Sequence, residues 1–328
     1  MNSLLSISAL SVRFPLGRSS YSLLPWQADR YLYALSNLSL DIDAGETVGL
    51  IGQSGSGKST LGRTIMGLES AYSGSVKLQG LELMGLSEKN YRSVRRKLAM
   101  IFQDPVASLS PRKTVGQLVA EPFCIHKSEY KNLQQEAVRL LKLVGLDENF
   151  LSAYPHQLSG GQARRVGIAR ALALDPAIII ADEPTAGLDV SVQGEIINLM
   201  NRLQEELNIA YLFITHNLSV ARHVCDRLAI LYAGSLVELG PTDKVLRAPA
   251  HPYTELLLRS MPHADPMEKR EDMHLNQEEM SYGEPHACVF YQSCTYSSNL
   301  CRDEIPAYWA AGPGHASKCH FPLGQSVE

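Results

Sequence analysis

Apolar positions along the chain change period several times, and each change marks a different kind of element. Leu4, Ile7 and Val12 lie in one short apolar segment, and Leu38, Leu40 and Ile42 then alternate with polar residues, as one buried face of a strand does. An insertion from about Gly17 to Arg30 separates the two. Thr47 to Ile51 is a short apolar run followed at once by glycines, which predicts a buried strand ending in a loop. From roughly Leu86 to Gln157 the pattern turns helical, with Leu133, Ala137, Leu140, Leu141 and Val144 forming one stripe. Ala177 to Ala181 and Ala210 to Thr215 predict two more buried strands alternating with helices, the βαβ rhythm of a parallel sheet. Past Gly240 the texture changes again. Pro241, Pro249, Pro252, Pro262 and Pro266 punctuate the chain, and an acidic, polar stretch from about His263 to Glu284 reads as a linker.

Composition narrows the partners. A formal net charge of -4 over 328 residues gives no general attraction to a phosphate backbone, so no nucleic-acid partner is expected. The basic cluster Arg92, Arg95, Arg96 and Lys97 reads as a solvated helix face. No window has the roughly 18 consecutive apolar residues of a membrane span, and the start lacks the basic flank of a signal peptide. The chain is therefore expected to be cytosolic, and peripheral at most. Of 6 cysteines, Cys288, Cys294, Cys301 and Cys319 crowd into the final segment. Cys124 and Cys225 lie elsewhere and are expected to be buried small hydrophobes.

The first chemistry-bearing motif is Gly52-Gln53-Ser54-Gly55-Ser56-Gly57-Lys58-Ser59, which satisfies G-x-x-x-x-G-K-[ST] between a predicted strand and a predicted helix. Glycines let successive backbone N–H groups turn inward around phosphates, and the helix N-terminus adds the positive end of its dipole. Lys58 would reach the outer phosphates and Ser59 would hold Mg²⁺, with Thr60 completing the residues expected on the nucleotide. A glycine turn that happens to precede a lysine is the bland alternative, and the strand and helix on either side argue against it. Ile178 to Glu183 then places two carboxylates at the end of an apolar strand, where an open α/β sheet puts its chemistry. Asp182 is the expected Mg²⁺ holder and Glu183 the expected general base for an attacking water.

At Leu158-Ser159-Gly160-Gly161-Gln162 the chain resembles the ATP-binding cassette superfamily, whose LSGGQ signature stands there in full. The resemblance covers about residues 4 to 260. It implies a P-loop NTPase of ABC type, α/β, with a RecA-like core, an antiparallel β subdomain, a helical insertion and a cysteine-rich C-terminal extension. The expected division is residues 1–247 for the ATPase, with the insertion at about 86–160, and 248–328 for the extension. In the family the signature caps the γ-phosphate of ATP held by the opposite subunit, which assigns Ser159, Gly160, Gly161 and Gln162 to nucleotide binding. Gln103 matches the Q-loop glutamine, near Mg²⁺ or the attacking water. Gly187-Leu188-Asp189 matches the D-loop, and His216 the switch histidine at the γ-phosphate. For the aromatic residue that stacks on adenine, Phe14 fits best by position, with Tyr33 as a competitor.

Ala248 to Leu257 is similar to the stretch that follows the cassette in oligopeptide, dipeptide and nickel importers, although Gln53 stands where that group usually has Glu. This implies a second, related ATPase subunit or a second copy of the same one, two permease subunits and an extracytoplasmic solute-binding protein. It places the chain on the cytoplasmic face of the inner membrane. The solute stays open among peptides, nickel complexes and opines. The four tail cysteines have the spacing C-x5-C-x6-C-x17-C, and four thiolates can hold Zn²⁺ or an iron–sulfur cluster. Similarity to the peptide importers favours [4Fe-4S] over zinc, free thiols or disulfides. A soluble cassette protein of translation or DNA repair is the competing function, and such proteins generally carry two cassettes or a long coiled coil, neither of which is present here.

Overall fold

A computed structural model describes residues 3–16, 30–104, 107–127, 132–260 and 285–324. The insertion expected from Gly17 and the linker expected from His263 lie almost wholly outside the described residues. Among the described residues twelve strands form two sheets. In chain order they are β1 (Leu5–Leu16), β2 (Arg30–Ile42), β3 (Thr47–Ile51), β4 (Ser73–Leu78), β5 (Leu81–Glu82), β6 (Leu98–Ile101), β7 (Ile178–Asp182), β8 (Ala210–Thr215), β9 (Arg227–Tyr232), β10 (Ser235–Pro241), β11 (Tyr308–Gly312) and β12 (His315–Lys318). The small sheet is antiparallel in the order β2-β1-β4-β5, and the large one runs β11-β12-β10-β9-β3-β8-β7-β6. Within the large sheet β9, β3, β8, β7 and β6 pair in parallel.

β3, β7 and β8 are buried along their whole length, which is why they read as unbroken apolar runs instead of alternating ones. The parallel strands end together, so the loops after β3, β7 and β8 converge at one edge of the sheet. β1 and β2 cross over the P-loop side: Val12 pairs with Leu35, and a Cβ added at Gly57 would meet Ala34 O at 2.3 Å. That contact and a φ of +104° at Gly57 both demand glycine there.

The helical region is interrupted where the sequence pattern gave no warning. β6 belongs to the main sheet and pairs with β7 from Leu98↔Ile178 to Ile101↔Ala181, so it separates the short helix Glu88–Val94 from the helices that begin at Val115. Four apolar residues are too few to distinguish a buried strand from a helix turn. The stripe expected on Leu133–Leu143 is real, with Ala137, Leu140 and Leu141 buried. Its core joins Val166, Ile168 and Ala169 of the helix Gly160–Leu172.

The tail does not stand apart from the cassette. β12 pairs antiparallel with β10 at Glu238↔Ser317 and Leu239↔Ala316, adding a hairpin to the main sheet. Glu238 is fully buried beneath it and accepts from the backbone N–H groups of Ala250 (2.8 Å) and His251 (2.9 Å) and lies 2.7 Å from His315 Nε2. Among the described residues, no helix is long and apolar enough to cross a membrane.

Candidate nucleotide site

Lys58 opens the helix Lys58–Ile65 directly behind the glycine loop and is almost wholly buried. Among the described residues its hydrogen bonds go to the carbonyls of Gly52 (2.8 Å) and Gln53 (2.6 Å) and, at 3.5 Å, to Ser56 Oγ. Burial pulls its pKa down, while the fields of Glu183 and Asp182 work against that shift. A buried cation at a helix N-terminus, pre-aimed by two carbonyls, suits a polyanion entering the loop. Ser54 and Gly55 form the exposed rim of that loop, and Thr60 lies one turn inside, where its carbonyl accepts from Thr64 Oγ1 at 2.9 Å.

Ser59 Oγ donates to Asp182 Oδ1 at 3.3 Å, bringing together the two residues expected on Mg²⁺. Asp182 is buried, which raises its pKa; Glu183 raises it further, whereas Ser59, Lys58 and Arg63 act in the opposite sense. A hydroxyl and a buried carboxylate match the oxygen donors that Mg²⁺ prefers.

Glu183 follows β7 in a left-handed conformation, φ 47°, which is uncommon for a residue with a side chain. Its amide donates to Ile214 O of β8 at 2.9 Å, so the sheet holds the strained turn in place. Its carboxylate is gripped on both oxygens: Gln103 Nε2 donates to Oε2 at 3.2 Å, and His216 Nδ1 lies 2.9 Å from Oε1. Gln103 therefore orients Glu183 here. Glu183 is 17% exposed and His216 63%, so the pair sits towards the surface and not in the core.

The signature lies elsewhere on the surface. Ser159 caps the helix Gly160–Leu172: its Oγ accepts from Gln162 N at 3.2 Å, and Gln162 Oε1 accepts from Ser159 N at 2.9 Å. Ser159 and Gly160 stay exposed, and a Cβ at Gly161 would strike Val192 at 2.8 Å. Asp189 caps the next long helix, Val190–Leu207, accepting from Val192 N at 2.9 Å. Ser191 Oγ also donates to Asp189, and that bond leads the causes that lower its pKa. Half-buried Phe14 packs against the core cluster that includes residues of β1 and β2. Tyr33 meets Tyr72 edge-on at 6.2 Å and accepts from Arg13.

Comparison with known proteins decides the family. Residues 35–186 match the ABC transporter family, and residues 237–301 match the oligopeptide/dipeptide transporter C-terminal region. The oligopeptide transport ATP-binding protein AppF of Bacillus subtilis is 44% identical over 293 residues, covering 88% of this chain and 89% of that protein. This chain belongs to the ATP-binding subunits of ABC transporters. The oligopeptide transport ATP-binding protein OppF of Escherichia coli is similar at 41% identity over 310 residues, 92% of each chain. Among solved structures, the dimeric bacterial ABC transporter cassette MJ0796 superposes with a TM-score of 0.64 at 31% identity, covering 73% of this chain and 98% of that one. These relatives are transport ATPases, which sets aside the competing role in translation or repair.

For an ABC subunit, Arg164 is the site residue that motif reading passed over. Its guanidinium is almost wholly buried and donates to Gln103 O at 2.7 Å and Ala186 O at 2.8 Å. One side chain of the signature helix thus ties the Gln103 loop to the turn that follows Glu183. The signal was a charged residue on the apolar side of a helix, two positions after Gln162, but its partners are distant in sequence.

The tail departs from expectation. Cys288 and Cys301 are buried, Cys294 and Cys319 half-buried, and Cys288 N donates to Cys301 O at 2.9 Å. Burial pushes the thiols of Cys288, Cys294 and Cys319 up, Cys319 to about 12, and neighbouring cysteines add to each shift. Among the described residues, however, no group of three or more His, Cys, Asp or Glu side chains is placed to hold a metal ion. The four cysteines as arranged are not a ready ligand set, and the expectation of an iron–sulfur cluster or Zn²⁺ gains no support from them. Cys225 is buried as expected, but Cys124 is exposed on its helix.

Proposed function

We propose that this chain hydrolyses MgATP to drive uptake of oligopeptides or dipeptides through separate permease subunits. The observation that carries the solute class is the match of residues 237–301 to the oligopeptide/dipeptide transporter C-terminal region, together with relatives named for oligopeptide transport. The chain divides into an ATPase of residues 1–247, with the helical insertion, and an extension of 248–328. Its working place is the cytoplasmic face of the inner membrane, where it attaches to the two permeases that receive solute from a binding protein.

In this reading the glycine loop and Lys58 bind the phosphates of ATP. Mg²⁺, held by Ser59 and Asp182, would neutralise phosphate charge when bound. Glu183 accepts a proton from water as the water oxygen bonds to the γ-phosphorus; the bond to the bridging oxygen breaks, and ADP and phosphate leave. His216 and Gln103 hold the carboxylate in line with one contact to each oxygen, which leaves a lone pair for the water. Ser159 and Asp189 serve the site of a second ATPase subunit, related or identical, and Val190, 85% exposed beside Asp189, belongs to the surface between them.

Reconstituted with its permeases and binding protein in vesicles, the subunit should turn over ATP faster when a short peptide is supplied. A rise with a nickel complex or an opine and none with any peptide would refute the assignment. For the tail we propose that its four cysteines, spaced as C-x5-C-x6-C-x17-C, rearrange to take up a [4Fe-4S] cluster, with Zn²⁺ as the alternative occupant. Iron, sulfide and zinc assays on the purified chain test this: stoichiometric iron and sulfide are expected, zinc alone would replace the cluster, and a protein free of all three would retire both.

A further inference from the structure

Tyr253 comes 200 positions after Gln53, yet its hydroxyl accepts the Gln53 backbone N–H at 3.2 Å. The peptide it touches, between Gly52 and Gln53, is the one whose carbonyl Lys58 Nζ grips at 2.8 Å, and the next carbonyl takes Lys58 at 2.6 Å. One peptide unit is thus held from both sides, by the tail on its N–H and by the nucleotide lysine on its C=O. Rotation of that peptide would remove an acceptor from Lys58 and tilt the ammonium away from the phosphates.

Tyr253 itself has little freedom. Its ring is completely buried, 4.6 Å from that of Tyr232 at the end of β9 and 5.5 Å from that of Phe290, which lies two residues after Cys288. Its helix, Pro252–Arg259, starts at His251, whose Nδ1 accepts Tyr253 N at 3.0 Å. His251 is fully buried and its pKa falls to about 3, so it stays neutral and keeps that acceptor. Glu238 fastens the backbone of the same residue. The hydroxyl is therefore delivered to the loop by a rigid mount.

We propose that Tyr253 is a positioning residue for ATP binding, setting the Gly52–Gln53 peptide and through it Lys58, so that the C-terminal extension is a working part of the nucleotide site. The inference rests on the assignment of the glycine loop and Lys58 to ATP.

Tyr253→Phe keeps the ring and its packing and removes the hydroxyl alone. Loss of one buried hydrogen bond predicts a Kd for MgATP raised roughly three- to tenfold, with KM rising more than kcat falls, because the contact acts in the bound ground state and the transition state alike. Tyr308→Phe is the matched control, since Tyr308 Oη donates to Leu236 O at 3.0 Å and ties the tail to β10 without touching the loop. Its ATP affinity should equal that of the unaltered chain. An unchanged Kd in Tyr253→Phe, or an equal weakening in both variants, would overturn the proposal in favour of simple core packing. Lys58→Ala separates the two levels. If it loses ATP while Tyr253→Phe does not weaken, only the positioning role falls; if Lys58→Ala binds ATP normally, the site assignment itself falls.

Discussion

Glu183→Gln should bind MgATP and lose at least about a hundredfold in turnover, the usual worth of a positioned general base. The substitution keeps the length and shape of the side chain. It also keeps one oxygen that can accept from Gln103 Nε2, while the new amide lies within hydrogen-bond reach of His216 Nδ1, so the grip on both ends of the group survives. What disappears is the capacity to take a proton. Because the phosphate loop, Lys58 and Ser59 are untouched, nucleotide should still close two subunits on each other and then fail to release them. Single-turnover hydrolysis and size-exclusion chromatography with ATP check both halves. Retained turnover would remove Glu183 from the role of base, and loss of ATP binding would show that the carboxylate matters mainly for holding the site together.

Glu238→Ala should destabilise the chain by about 3–5 kcal/mol, the cost of stripping the partner from several buried polar groups at once. The carboxylate is fully buried, and its removal leaves the N–H groups of Ala250 and His251 and the ring of His315 facing a void. Those groups span β10, the helix that carries Tyr253 and the strand β12, so the loss should concentrate at the seam between cassette and tail. Glu238→Gln should cost less, since one acceptor oxygen remains. Urea denaturation gives the magnitude, and limited proteolysis shows where the chain opens. A midpoint equal to that of the unaltered chain would mean that water or rearranged side chains satisfy the abandoned donors.

Local chemistry was legible in the sequence, and long-range chemistry was not. The phosphate loop could be read because cradling phosphates needs consecutive backbone groups, which leaves a contiguous motif at Gly52–Ser59. Asp182 and Glu183 could be read for the same reason, since a parallel strand delivers its last residues to the site. Arg164, Tyr253 and Glu238 act through partners between 12 and 200 positions away, and spacing carries no trace of such pairings. β6 was hidden because four apolar residues have no diagnostic period. In the tail, a run of cysteines suggested a ligand set, but spacing does not say whether four sulfurs converge, and burial alone accounts for two of them in the core.

The hairpin β11–β12 also decides how this subunit can be shortened. β10 has β9 on one side and β12 on the other, so its backbone donors and acceptors are shared within the sheet. A chain ending after the helix Pro252–Arg259 would keep every nucleotide motif yet present β10 as an uncovered edge, with Leu236, Val237 and Leu239 along it. Uncovered edges of that kind recruit strands from other molecules. The tail is in this respect a built-in chaperone for the cassette, and solubility would be lost before catalysis.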